Sequence, residues 1–131
     1  MDLVTIVIGV ALVEYVFFAM MVGKARVQSG IKAPATTGND VFERHYRVQM
    51  NTLELLVAFI PGMVMFARAY GSEIAAGLGI VFIIGRFIYY KSYVADPDKR
   101  SMGFGLSFLP TVILVIGGII GAVMNMVNSP M

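Results

Sequence analysis

Four long runs of apolar residues follow one another along the chain, separated by short polar segments. They extend over about residues 3–23, 41–70, 74–94 and 102–127. An α-helix rises about 1.5 Å per residue, so about 20 residues are enough to cross a hydrocarbon core about 30 Å thick. The runs are continuous and lack the two-residue alternation of membrane β-strands. The pattern therefore predicts an all-α integral membrane protein, a four-transmembrane-helix bundle that forms one domain over residues 1–131.

The composition of the chain fits no soluble class of protein. Hydrophobic residues make up 58% of the 131 residues, charged residues only 14%, and the mean hydropathy is +0.80. A short soluble domain could not bury so much apolar surface, and a net charge of +2 gives no basis for nucleic-acid binding. Without cysteine, and with a single histidine, we expect no disulfide and no metal site. Because Met1-Asp2 leads directly into the first run, we also expect no cleaved signal peptide.

Local signals predict where the helices begin and end. Asp40, followed three residues later by Glu43, resembles a capping box and places the start of the second helix near Val41. Residues 24–39 before it are expected to form a polar connection. Asp96-Pro97-Asp98 predicts the end of the third helix, because the residue before a proline is biased away from helix.

The cations are distributed unevenly between the two ends of the predicted bundle. Most lie on the first and third connections or the adjoining helix ends: Lys24, Arg26, Lys32, Arg44, Arg47, Lys91, Lys99 and Arg100. Arg86 lies one to two turns inside the same side, and only Arg68 belongs to the opposite end. The positive-inside rule then predicts that both long connections are cytoplasmic and that both termini lie outside.

Polar side chains interrupt two of the apolar runs, although polar groups are costly at membrane depth. In the second run, spacings of 3, 4 and 3 place four of them on one helix stripe: Arg44, Arg47, Asn51 and Glu54. In the third run, spacings of 3 and 4 align Arg86, Tyr89 and Tyr93. The two stripes predict a polar cleft, open to the cytoplasm, that binds a charged ligand. The alternatives are a neutral structural network on the second helix and interfacial tyrosines on the third.

Two segments carry a more specific signal. The first, from Phe42 to Glu54, contains the pattern E-R-x-x-R-x-x-x-N-x-x-E and is preceded by Thr36-Thr37-Gly38. The second runs from Gly85 to Tyr93 and is followed by Arg100. Both resemble the MAPEG family, the membrane-associated proteins in eicosanoid and glutathione metabolism, in its branch of leukotriene C4 synthase and microsomal glutathione transferase 2. The four-helix layout extends the resemblance over essentially the whole chain.

The resemblance implies a homotrimer that binds glutathione, as co-substrate, between subunits on the cytoplasmic side. Matched by position, the glutathione-binding residues are Arg26, Arg47, Gln49, Asn51, Glu54, Tyr89 and Tyr93. Arg26 and Gln49 would come from the neighbouring subunit, and Arg100 matches the catalytic arginine that stabilises the glutathione thiolate. The implied function is a membrane-bound glutathione transferase, surrounded by membrane lipids, that attacks lipophilic electrophiles or reduces lipid hydroperoxides.

The chain departs from that branch at several positions. Leu55 stands where the branch has a tyrosine, and Val27 stands where the synthase has a second arginine proposed to protonate the epoxide product. The loss of that arginine favours a general transferase or peroxidase over leukotriene synthesis. Pro61 lies one turn later than the branch's proline and is expected to kink the second helix. These departures and the short termini favour a bacterial member in the inner membrane.

Two other functions stay open beside the enzyme. A non-catalytic lipid-binding scaffold would share the fold, but such a member would be expected to lose glutathione ligands that this chain retains. A small proton-coupled multidrug exporter would use Glu14, an acid in the middle of the first helix, although the cationic stripe would repel its cationic substrates. Glu14 could equally be protonated or hydrogen-bonded to a neighbouring helix.

Overall fold

The computed structural model describes residues 1–129 as four long α-helices and one short 3₁₀ turn. In chain order the helices are α1 (Asp2–Ser29), α2 (Asp40–Tyr70), α3 (Ser72–Ala95) and α4 (Ser101–Asn128), and the 3₁₀ turn Pro97–Lys99 joins α3 to α4. Each of the four helices is long and apolar enough to cross a membrane. Helices satisfy their own backbone hydrogen bonds in lipid, so the chain is an all-helical, multi-pass membrane protein.

The first helix is longer than its apolar run predicts. Lys24, Arg26 and Gln28 are polar but form helix readily, so the helical backbone continues beyond the uninterrupted apolar run. Gly30 then ends α1 in the left-handed conformation, with φ at 70°, and the Ile31 N–H donates to the Arg26 carbonyl at 3.1 Å. The predicted connection of residues 24–39 is therefore wrong in its first part, which belongs to α1.

The second helix is capped one residue earlier than predicted. Asn39 has the extended backbone of a cap, and its Oδ1 accepts a hydrogen bond from the Phe42 N–H at 3.1 Å. Glu43 Oε2 accepts from the Gly38 N–H at 3.1 Å, just outside the helix. The capping box with Asp40 as cap is therefore wrong in register. Asp40 lies instead in the first turn, where its charge complements the helix dipole.

The cations gather where α1 and α3 end and α2 and α4 begin, which we call the charged end. Arg44, near the start of α2, donates to the carbonyls of Val94 and Ala95, at 3.1 and 3.3 Å, and so binds the last turn of α3. Phe42 packs against Val22 and Ala25 in the last turns of α1. These contacts fix the starts and ends of three helices against one another at this end.

Small residues let α3 and α4 approach closely. Gly85 on α3 faces α4, where an added Cβ would lie 2.7 Å from the carbonyl carbon of Leu106 and 2.8 Å from the Ser107 nitrogen. Gly103 on α4 lies directly against the backbone of Tyr89. In lipid no hydrophobic force draws helices together, so close van der Waals contact of this kind provides much of the association.

Arg86 is the largest fully buried side chain in the described bundle, with an exposed fraction of 0%. Its Nε and Nη2 donate to Ser107 Oγ on α4, at 2.9 and 2.7 Å, and its Nη1 donates to Asn51 Oδ1 and Thr52 Oγ1 on α2, at 2.8 and 3.2 Å. The guanidinium also lies 4.2 Å from the ring centre of Tyr89. One side chain of α3 thus joins α2, α3 and α4 through neutral oxygens. Arg86 faces the bundle interior rather than the polar cleft in which its stripe placed it.

Replacing Arg86 by methionine is expected to lower the stability of the bundle by about 1–3 kcal/mol, because the oxygens of Asn51 and Thr52 lose their buried donor. Thermal unfolding in detergent measures the change. Arg68→Met, which removes the exposed arginine at the opposite end, is the matched control and should unfold as the wild type does. Equal melting temperatures for Arg86→Met and wild type would contradict the role of this network.

Replacing Gly103 by alanine is expected to separate α3 from α4, since the new methyl group would overlap backbone atoms of Tyr89 that cannot rotate away. Gly105→Ala, two residues along the same helix, meets nothing within 4 Å and should keep or raise stability through its better helix propensity. A clearly lower melting temperature for Gly103→Ala alone confirms the contact. Equal melting temperatures for Gly103→Ala and Gly105→Ala would contradict the close contact between α3 and α4.

Candidate functional site

A polar cleft opens at the charged end beside the first turns of α2 and the last turn of α3. Its volume is about 500 Å³, and it is lined by Thr36, Asp40, Glu43, Arg44, Tyr46, Arg47, Tyr93 and Pro97. Of the residues expected to bind glutathione, Arg47 and Tyr93 line this cleft. It therefore brings together guanidinium, phenol and carboxylate groups from two helices, as a site for a small ligand carrying charges of both signs requires.

Arg47 and Glu54 form an ion pair along α2. Arg47 Nη2 lies 3.2 Å from Glu54 Oε1, and the side chains keep exposed fractions of 48% and 57%. Exposed pairs of this kind contribute only about 0–1 kcal/mol, so little free energy holds the two groups together. Both charges remain available to a ligand.

Asn51 points in a different direction from its neighbours on the predicted stripe. Its Oδ1 accepts from the buried Arg86, whereas Arg47 and Glu54 face outward. Arg44 is turned toward the end of α3, where it binds the backbone and also lines the cleft. The single four-residue stripe is therefore an oversimplification, because hydrogen bonds to α3 turn its members to different sides.

The tyrosines of α3 connect the buried arginine to the cleft. The ring of Tyr89 packs beneath that of Tyr93, with ring centroids 5.4 Å apart and planes at 30°, and it also faces the Arg86 guanidinium. Tyr89 is buried, whereas Tyr93 is partly exposed and lines the cleft. Of these two tyrosines, Tyr93 thus offers its phenol to a ligand in the cleft, and Tyr89 packs against the ring of Tyr93.

Arg100 lies at the cap position of α4, fully outside the core. Its Nη1 donates to the Pro97 carbonyl at 2.9 Å, within its own turn, and Pro97 lines the cleft. The remaining guanidinium N–H groups have no partner within residues 1–129. Arg100 therefore lies beside the cleft, and its other N–H groups are available to donate hydrogen bonds to a ligand.

Arg26 and Gln49 lie away from this cleft, on the side of α1. Arg26 Nη1 donates to the Ala35 carbonyl at 2.9 Å, and its guanidinium lies 4.6 Å from the ring centre of Phe42. Gln49 Nε2 donates to Tyr15 Oη at 3.3 Å. Within one subunit, these two residues fasten the first connection and α1 to α2. Their expected contribution to a neighbouring subunit's site remains a prediction.

Several polar residues of the site were missed by the sequence reasoning. Tyr46 lines the cleft next to Arg47, and Thr52 and Ser107 complete the hydrogen bonds of Arg86. Ser107 carried a usable signal, since it is a polar residue within the uncharged fourth run. Glu14 lies partly buried, and its Oε1 is buried without a hydrogen-bond partner within residues 1–129.

Comparison with known proteins identifies the family of the chain. The model of the MAPEG family matches residues 4–120. The uncharacterized protein sll1147 of the cyanobacterium Synechocystis is 43% identical over 115 residues, which cover 88% of this chain and 84% of that protein. Microsomal glutathione S-transferase 2 of Homo sapiens is 37% identical over 80% of this chain and 71% of its own length, and leukotriene C4 synthase of Bos taurus is 35% identical over 71% and 61%. The match extends over all four helices and the charged end, and the chain belongs to the MAPEG family.

Proposed function

We propose that this protein is a glutathione-dependent membrane enzyme, a transferase that ionises glutathione and transfers it to lipophilic electrophiles. The observation that carries the proposal is the cleft at the charged end, which both Arg47 and Tyr93 line. Glu54 is paired with Arg47, and Arg100 is bonded to Pro97 at the edge of the cleft. Two relatives are named as a glutathione S-transferase and a leukotriene synthase, which supports glutathione use at the level of the family.

The charges of the cleft suit the charges of the tripeptide. Glutathione carries two carboxylates and one ammonium, and arginine binds carboxylates through two parallel hydrogen bonds. Arg47 would take a carboxylate and Glu54 the ammonium, so that the ligand replaces a weak exposed ion pair by two complementary contacts. Because that pair contributes about 1 kcal/mol at most, opening it opposes binding only slightly.

The buried hydrogen bonds of Arg86 would fix the orientation of the other side chains that are proposed to bind glutathione. Arg86 fixes the amide of Asn51 through Oδ1, which leaves the amide nitrogen as its free donor. Arg86 also contacts Tyr89, on which Tyr93 stacks. A side chain whose orientation is set before the ligand arrives loses less conformational entropy on binding. The proposed contacts of Asn51 and Tyr93 with glutathione, and the packing of Tyr89 against Tyr93, therefore depend on a residue that does not itself reach the cleft.

Arg100 would supply the chemistry. A free thiol has a pKa near 8.5, and a guanidinium close to the sulfur stabilises the thiolate and lowers that pKa. A fall of about two units represents roughly 2.7 kcal/mol of differential stabilisation. Arginine is too basic to act as a proton acceptor, so the thiol proton leaves to water. The thiolate then forms a carbon–sulfur bond with an electrophile that enters from the bilayer between helices. The bond from that carbon to its leaving group breaks at the same time: a halide departs as the anion, and the oxygen of an opened epoxide takes a proton from water.

The same thiolate can reduce a lipid hydroperoxide, the second reaction that we assign to this site. Attack on the outer oxygen breaks the O–O bond and leaves the glutathione sulfur as a sulfenic acid, while the departing alkoxide takes a proton from water and is released as the alcohol. A second glutathione then displaces water and forms glutathione disulfide. Val27, where the synthase has an arginine, leaves no cation at that position for epoxide opening and supports these broader reactions.

The proposal includes a homotrimer in a bacterial inner membrane with the site on the cytoplasmic side. Arg26 and Gln49 face away from their own cleft, so only a neighbouring subunit could bring them to one. The cations at the charged end support a cytoplasmic location by the positive-inside rule. The cyanobacterial relative supports a bacterial origin.

Replacing Arg100 by alanine is expected to lower the thiolate fraction of bound glutathione more than about tenfold at neutral pH, since a rise of two pKa units returns the thiol to its free value. The ultraviolet absorption of the thiolate measures this fraction in detergent. Lys99→Ala, which removes the neighbouring exposed cation, is the control and should keep the band. An undiminished band in Arg100→Ala would contradict the assigned role.

Replacing Glu54 by glutamine is expected to weaken glutathione binding about tenfold, because the ligand's ammonium loses its carboxylate partner. A glutathione analogue without that amino group should bind wild type and Glu54→Gln equally, which isolates the contact. Glu73→Gln, an exposed acid at the opposite end, is the control. Equal losses for glutathione and the analogue would show that Glu54 acts on the fold rather than on the ammonium.

A further inference from the structure

A second, smaller groove lies at the charged end between α1, α2 and α3. Its volume is about 180 Å³, and it is lined by Met21, Lys24, Ala25, Gln28, His45 and Tyr90. We call it the lateral groove. It shares no lining residue with the cleft, and none of its residues belongs to the proposed glutathione site. Whatever binds here therefore does so through residues outside the proposed glutathione site.

The lateral groove is lined by hydrogen-bond donors and no carboxylate. Lys24 and Gln28 are one helical turn apart and project from the same face of α1. Within residues 1–129 Lys24 makes no ion pair, since the single pair there joins Arg47 to Glu54. His45 contributes an imidazole whose Nδ1 is buried without a hydrogen-bond partner in the described chain. The groove thus holds one lysine charge without an ion-pair partner in the described chain, together with further polar groups from Gln28, His45 and Tyr90.

Tyr90 links this polar groove to an apolar surface. Its ring stacks on Phe18 at 5.1 Å, meets Phe17 edge-on at 5.8 Å, and lies 6.1 Å from Phe87 and 5.7 Å from His45. Phe17 and Phe87 are 37% and 46% exposed. Val13 and Met20 on α1 and Ile84 on α3 lie one helical turn from these rings and are exposed and apolar as well. One end of the surface is therefore cationic, and the rest is suited to hydrocarbon chains.

We propose that the lateral groove binds the phosphate group of an anionic phospholipid, whose acyl chains lie along the exposed faces of α1 and α3. A phosphate diester accepts hydrogen bonds from ammonium, imidazole, amide and phenol groups, and a single negative charge offsets that of Lys24. The long lysine side chain reaches the level of the headgroups while its methylene groups stay against apolar surface. The small volume accommodates a phosphate and leaves the chains outside.

The test compares binding of two lipids to the purified protein by native mass spectrometry from mixed micelles. The micelles hold equal amounts of phosphatidylglycerol and phosphatidylcholine. The wild type should retain phosphatidylglycerol at least several-fold more often, and the double variant Lys24→Gln/His45→Gln should lose that preference. Lys32→Gln removes an exposed cation of the same end outside the groove and should keep it. Equal melting temperatures in lipid-free detergent show that the double variant folds.

A second arm separates the lipid from free phosphate. Millimolar inorganic phosphate should neither displace phosphatidylglycerol nor raise the melting temperature of lipid-free protein. Stabilisation by phosphate alone, absent in the double variant, would reassign the groove to a soluble phosphate and overturn the lipid. Three other outcomes would also overturn the proposal. The double variant could keep the preference for phosphatidylglycerol, the wild type could retain both lipids equally, or the double variant could differ from the wild type in its number of subunits.

Discussion

The buried guanidinium of Arg86 is the interaction on which the organisation of the charged end depends. Its four hydrogen bonds reach Asn51 and Thr52 on α2 and Ser107 on α4, and its face lies on Tyr89. A charge this deeply buried is stable only when nearly all of its donors are satisfied, so the surrounding oxygens must stay in place. The arginine therefore aligns three helices. It also fixes Asn51 directly and Tyr93 through Tyr89, and both Asn51 and Tyr93 are proposed to contact glutathione. Three exposed charges lie outside this network and contribute little to the stability of the fold: Arg47, Glu54 and Arg100. They are the charges proposed to bind and activate glutathione.

The membrane sets the second constraint. Helices that share a lipid solvent cannot rely on the hydrophobic effect to associate, so the bundle uses close backbone contacts at Gly85 and Gly103 and ring stacking such as Phe59 on Phe82, with centroids 3.9 Å apart. The same solvent keeps most charged side chains near the helix ends, where water and headgroups can reach them, and most of the cations lie at the charged end. The cleft and the lateral groove both lie at that end, so a water-soluble tripeptide and a lipid headgroup could be bound side by side without competing.

Much of the fold could be predicted from the sequence because its signals are long. Each apolar run specifies a helix by itself, and the family motif at Phe42 to Glu54 could be identified residue by residue. Helix ends could not be predicted as well, since the polar residues Lys24, Arg26 and Gln28 continue α1. The cap of α2 is Asn39 rather than Asp40. The directions of the side chains could not be predicted from the sequence. Asn51 and Arg47 share a stripe by spacing, but Asn51 turns inward to Arg86 while Arg47 faces outward to Glu54. The lateral groove was equally invisible, since Lys24, His45 and Tyr90 meet only in three dimensions.

The central claim is that glutathione loses its thiol proton on binding, and proton release measures this most directly. Glutathione is mixed with the detergent-purified protein in weak buffer at pH 7, and a pH indicator counts the protons that appear. If the thiol pKa falls by about two units, about 0.7 proton should be released per bound glutathione, and none per bound S-methylglutathione, which has no thiol proton. Saturable binding without proton release, or equal release from both ligands, would contradict the account and leave the cleft as a site that binds glutathione without activating it.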